Sequence, residues 1–142
     1  MDFGVEFAGW LEIDAKSIRH ILITHQDTDT LGRLRQTAWD CSKGKTLYRR
    51  NRNRYLTGEV RRRVMHRLYK LPQVTINNKK QLLKDGETFK IGNIKIHAFL
   101  VPGHTWGHMV YLIDDKYLFT GDTIWFGADG GYSFISALAE SN

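Results

Sequence analysis

Cysteine is almost absent. Cys41 stands alone among 142 residues, which excludes an internal disulfide and a cysteine-based metal knuckle. A reducing, cytoplasmic setting is the expectation that follows. Proline is nearly as scarce, with two, and beside 13 glycines that excludes a collagen-like or proline-rich chain. Long apolar runs are missing as well. The apolar runs, of which Met109-Val110-Tyr111-Leu112-Ile113 is the longest, fall far short of the ~20 residues that cross a bilayer, so no membrane partner is expected. The opening Met1-Asp2-Phe3-Gly4-Val5-Glu6 carries acid where a secretory leader carries base, which argues against export. No Gly-x-Ser-x-Gly nucleophile motif occurs. A phosphate loop ending Gly44-Lys45-Thr46 fails because Trp39 stands where its first glycine belongs. Cys41 has no histidine near it in sequence, which argues against a catalytic thiol.

What is present is an ordinary globular mix, 42% hydrophobic and 25% charged, at a length that suits one domain. Charge is unevenly spread. Residues 43–70 hold eleven Lys and Arg against Glu59 alone, a local +10 within a chain of +6, so the remainder sums to −4. This basic segment, with Tyr48, Tyr55 and Tyr69 interleaved, has the composition of a weak, non-specific nucleic-acid contact. The plainer reading is a solvated helix face, since Arg61, Arg62 and Arg63 step around a helix by ~100° and cannot share one groove.

Apolar spacing predicts a short helix over residues 3–11, a buried strand over His20–Thr24 and a helix over 30–39. Thr46-Leu47-Tyr48 reads as a strand. Thr57 reads as the N-cap of a helix that ends at Leu71-Pro72. Thereafter the period changes to two. Thr88–Ile91 and Ile94–Phe99 read as a hairpin around Gly92-Asn93, and Val110–Ile113 and Tyr117–Phe119 as another around Asp114-Asp115. The tail from Ser133 to Leu138 reads as the start of a helix.

Three of these strands lead into polar clusters. Ile21-Leu22-Ile23-Thr24 runs into His25-Gln26-Asp27-Thr28-Asp29. Phe99-Leu100-Val101 runs into Pro102-Gly103-His104-Thr105-Trp106-Gly107-His108, and Tyr117-Leu118-Phe119-Thr120 into Gly121-Asp122-Thr123. Strands that deliver loops to one sheet edge commonly assemble a site. Imidazole and carboxylate are ligands that zinc, iron and manganese accept. Taken singly, a histidine at a strand end is more often a hydrogen-bonded structural residue. His20, His66 and His97 fall within predicted elements and read as packing or surface residues. Trp106, Trp125 and Phe126 flank the clusters and read equally as walls of an apolar pocket or as core.

Taken together, the three clusters resemble the metal loops of the metallo-β-lactamase-fold hydrolases, in the same order, over roughly residues 18–135. The resemblance implies an α+β fold, a four-layer αβ/βα sandwich with metal held at one edge of two facing sheets. It implies that His25 and His104 ligate a first metal, with Asp27 at the position of a further histidine. By the same resemblance Asp29 belongs to a second metal and orients the attacking water, and Asp122 bridges the two. His108 falls outside that ligand set, with a structural or substrate-facing role. The implied cofactor is zinc, one or two ions, with iron or manganese accepted by the same donors. The implied chemistry is metal-assisted hydrolysis of a small-molecule ester, thioester or related substrate. A reading of a different class is a non-catalytic remnant of the fold, or a nucleic-acid-processing relative, that works through the basic segment.

Departures from the pattern carry expectations of their own. Thr30 stands where the first motif closes with histidine, and no histidine follows Asp122, so the second metal position is left with Asp29 and Asp122. The strands that such proteins place ahead of the first metal loop are not recognisable in residues 1–17. Residues 1–142 therefore read as a single partial domain, incomplete at both ends, with apolar faces and strand edges that favour self-association.

Overall fold

The structure is a computed structural model that describes residues 14, 17–25, 44–49, 57, 59 and 79–134. Three strands, β1 (His20–Leu22), β2 (Lys45–Arg49) and β3 (Lys79–Leu83), form a parallel sheet in that order. The middle strand is buried along Thr46, Leu47 and Tyr48, the continuous burial that a strand covered on both faces requires. Parallel partners cannot be joined by a hairpin, so the chain returns between them through residues 23–44 and 50–78. The helices expected over 30–39 and 57–71 fall in those returns. They lie outside the described residues, as does the helix expected over 3–11.

Four more strands make an antiparallel meander, β4 (Glu87–Ile91), β5 (Ile94–Leu100), β6 (Met109–Ile113) and β7 (Tyr117–Phe119). Both expected hairpins are present. Gly92, at φ +60°, supplies the left-handed residue of the first turn, and Asp114 and Asp115, at φ 50° and 55°, form the second. Left-handed aspartates carry strain, which local bonds offset. The Lys95 amide donates to Asp114 Oδ1 at 2.7 Å, and the Asp115 carboxylate meets Lys95 Nζ at 2.9 Å and His97 Nε2 at 3.0 Å. Hydrogen bonding from Lys95 holds the Asp115 carboxyl below the usual range. With Nδ1 of its ring 2.8 Å from Thr88 Oγ1, His97 is a cross-strand clasp, in line with its reading as a packing residue.

The two sheets share one core. Leu47 and Leu83 of the parallel sheet pack with Ile96, Ala98, Met109 and Tyr111 of the meander. The fold is thus that of two facing sheets. The helices expected to form the outer layers of a four-layer sandwich lie outside the described residues. Rows Ile96–Ile113–Tyr117 and Ala98–Tyr111–Phe119 carry the core-facing side across to β7, where Tyr117 and Phe119 are more than half exposed.

A last ribbon pairs β8 (Ile124–Phe126) with β9 (Tyr132–Phe134). Ser133 and Phe134 are therefore strand, which corrects the helix expected to begin at Ser133. The Gly127 amide closes the ribbon on the Gly131 carbonyl at 2.7 Å, and pairing with Trp125 and Ile124 fixes the extended backbone. Trp106, Trp125 and Phe126 are exposed by 58%, 57% and 75%, so of their two readings the core one is set aside.

Candidate metal centre

His25, His104 and Asp122, one residue from each polar cluster, meet at one edge of the facing sheets. Past β1, the Ile23 amide still donates to the Leu47 carbonyl at 2.9 Å, which carries the sheet one residue further and directs Thr24 and His25 beyond its edge. The β5–β6 loop is pinched by the Val101 amide on the His108 carbonyl at 2.9 Å, and the Met109 amide ties it to the Thr24 carbonyl at 2.7 Å. After β7 the chain makes a single 3-10 turn over Gly121–Thr123, which presents Asp122.

His25, His104 and Asp122 converge so that one ligand atom from each lies within 4.8 Å of the others. His25 Nε2 is 3.4 Å and His104 Nε2 3.5 Å from the same carboxylate oxygen, Asp122 Oδ2. A charge-assisted N–H···O bond is shorter, about 2.7–2.9 Å. Two donors bound at ~2.0–2.1 Å to one tetrahedral ion stand about 3.3 Å apart. The spacing fits a shared cation better than a shared proton, and the donor set of two imidazoles and a carboxylate is one that zinc takes. The imidazoles are sheltered, with side-chain exposures of 1% for His25 and 15% for His104, while Asp122 keeps 29% and opens the cluster to solvent. His25 is held from behind, its Nδ1 lying 3.0 Å from Thr24 Oγ1. The Thr24 hydroxyl can accept from an Nδ1–H, and in that tautomer Nε2 carries the lone pair a metal ligand needs.

His108 lies behind the pair. Its ring is wholly buried, stacks on His25 at 4.8 Å between centroids with planes 16° apart, and has Nε2 2.9 Å from the Thr120 carbonyl. Burial drives its pKa down to about 4, against the opposing pull of the Thr120 carbonyl, so the ring is neutral at ordinary pH. Of the two roles expected for it, the structural one fits this burial. Gly121 is required by geometry. Its φ is +52°, and a Cβ there would stand 2.7 Å from both His108 Nε2 and Thr24 Oγ1.

Asp27, Asp29 and Thr30 lie outside the described residues, so the structure brings together three of the five expected ligands. Most of the basic 43–70 segment also lies outside them. The sequence reading passed over Thr24 and Thr120, which position His25 and His108. A hydroxyl residue immediately before the first histidine was the available sign of Thr24, whereas Thr120 acts through its backbone and leaves none.

Comparison with known proteins bears on this centre. The family model described as the metallo-beta-lactamase superfamily matches residues 2–139. A probable polyketide biosynthesis zinc-dependent hydrolase, BaeB of Bacillus velezensis, is 55% identical over 42 residues, 30% of this chain and 18% of that protein. A hydroxyacylglutathione hydrolase of Dictyostelium discoideum is 44% identical over 55 residues, 34% of this chain and 20% of that protein. The matched stretch thus spans about a fifth of each curated relative. Among solved structures, the Rm3 metallo-beta-lactamase is similar at a TM-score of 0.60 and 23% identity, over 80% of this chain and 43% of that one. A flavoprotein from Thermotoga maritima is similar at 0.62 and 25% identity, over 86% of this chain and 28% of that one.

Proposed function

Because the chain belongs to the metallo-beta-lactamase superfamily, we propose that it is a metal-dependent hydrolase of small acyl esters or thioesters, with zinc as its metal. His25, His104 and Asp122 would hold the ion, with Asp27 as a further ligand. Asp29 would serve as the catalytic carboxylate and contribute to a second metal position. A bound zinc ion supplies a Lewis acid and lowers the pKa of water beside it toward neutrality. The chain's own residues prepare that chemistry. Thr24 Oγ1 lies 3.0 Å from His25 Nδ1, and an Nδ1–H donated to it would leave Nε2 as a lone pair at the centre. Asp122 places one carboxylate oxygen between the two imidazoles, offsetting cationic charge there. Asp29, four residues after His25 in sequence, would orient the attacking water and take its proton. The exposed Trp106, two residues past His104, and Trp125, three past Asp122, offer apolar surface to the acyl part of a substrate.

The observation that carries this reading is the pair of 3.4 and 3.5 Å separations onto one Asp122 oxygen, in a set of donors suited to zinc. The choice of an acyl substrate is supported by relatives that act, by name, on hydroxyacylglutathione. A panel of S-acyl thioesters and simple esters, assayed with added zinc, tests it. Turnover that disappears in Asp122→Asn supports the reading, and turnover unaffected by that change or by chelation contradicts it.

A further inference from the structure

We propose that His108 is the positioning residue of this centre, holding the Asp122 turn and the His25 ring in fixed relation through one buried imidazole. The inference rests on the reading above that His25, His104 and Asp122 hold a metal.

A carbonyl oxygen only accepts. The 2.9 Å contact between His108 Nε2 and the Thr120 carbonyl therefore places the ring proton on Nε2 and leaves Nδ1 bare. That nitrogen is buried and has no hydrogen-bond partner among the described residues. His108 uses Nε2 as a donor to the backbone carbonyl two residues before Asp122. Its face lies parallel to His25, whose Nδ1 edge meets the Thr24 hydroxyl. The rotation of His25 about its side-chain bonds is thereby limited from two directions. The loop carrying His108 is itself bonded to the first cluster, Met109 amide to Thr24 carbonyl. Gly121 brings backbone directly against His108 Nε2, and no side chain could intervene. One imidazole thus joins three loops that are far apart in sequence. Loss of such an outer partner typically weakens metal affinity by about 10–100-fold.

The test compares the full chain with His108→Phe and His108→Gln. Phe keeps a stacking ring without a donor, and Gln restores a donor toward the Thr120 carbonyl. Zinc affinity is read by chelator competition, geometry by the visible spectrum of the cobalt-substituted protein, and folding by thermal unfolding without metal. The expected result is zinc affinity lowered about 10–100-fold in His108→Phe with an altered cobalt spectrum, and recovered for the most part in His108→Gln. Equal affinity and an unchanged spectrum in His108→Phe overturn the proposal. If that variant does not fold, nitrogen-15 spectra of the unmodified chain decide. A His108 ring protonated at Nε2 upholds the contact, and one protonated only at Nδ1 overturns it. Failure of the unmodified chain to bind zinc overturns instead the metal-site reading on which the proposal rests.

Discussion

The Tyr111 hydroxyl donates to the Ile23 carbonyl at 2.6 Å, joining the centre of the meander to the chain two residues before His25. The bond spans the interface of the two sheets and lies in the core, where Tyr111 is 2% exposed. Removing the hydroxyl in Tyr111→Phe leaves a buried carbonyl without this donor. The expected cost is about 1–3 kcal/mol of unfolding free energy. Denaturant unfolding should show a lower midpoint at an unchanged slope. A variant as stable as the parent would mean that the Ile23 carbonyl is satisfied in another way.

Alkaline stability follows from the same burial. Desolvation raises the Tyr48 phenol to about 12 and moves Tyr111 further in the same direction. Both groups favour the neutral form in the folded chain, so their contribution is complete below the ordinary tyrosine pKa of about 10 and declines as pH rises through the folded values. Unfolding free energy is expected to be insensitive to these two residues up to about pH 10 and to fall beyond it. Ultraviolet titration of phenolate should find two of the six tyrosines ionising late or only with unfolding. Six tyrosines titrating together near pH 10 in the folded chain would contradict this.

Gly121→Ala tests the close approach beneath the centre. The residue sits at φ +52°, and its Cβ would lie 2.7 Å from His108 Nε2 and from Thr24 Oγ1. The variant should lose about 1–3 kcal/mol through backbone strain alone, with steric displacement in addition. Thermal unfolding of the metal-free chain measures it, and a change under ~0.5 kcal/mol would show that the turn relaxes freely.

The uncovered rows on β7 lead to a prediction about association. Tyr117, Leu118 and Phe119 are each more than half exposed on a strand at the edge of its sheet. Edges and apolar faces of this kind recruit further strands. Sedimentation velocity should resolve species larger than the monomer that grow with concentration. A monomer that persists and unfolds cooperatively would mean that these rows are stable in water.

Much of the meander was legible because its strands alternate and its turns carry Gly92-Asn93 and Asp114-Asp115. The parallel pairing of the buried run Thr46-Leu47-Tyr48 with strands on either side was not legible, but the run itself was legible as a strand. Strand β3 was not. Lys79-Lys80-Gln81-Leu82-Leu83 buries only Leu83, so neither period marks it. The β8–β9 ribbon leaves Trp125, Phe126 and Tyr132 exposed, and without an inward face it offers no alternation to read. At the centre, His25, His104 and Asp122 were visible through their motifs. A structural role for His108 was among the expectations, but its contact with the Thr120 carbonyl, twelve residues away, was not legible.

Metal content of the purified full chain tests the central claim most directly. On the reading proposed above, His25, Asp27, His104 and Asp122 would supply the ligands of one ion, and Thr30 would leave the second position short of one. Elemental analysis after zinc loading should find about one ion per chain, none in His104→Ala, and more in Thr30→His. An unmodified chain that holds no metal, or a His104→Ala variant that retains it at the parent level, would contradict the account.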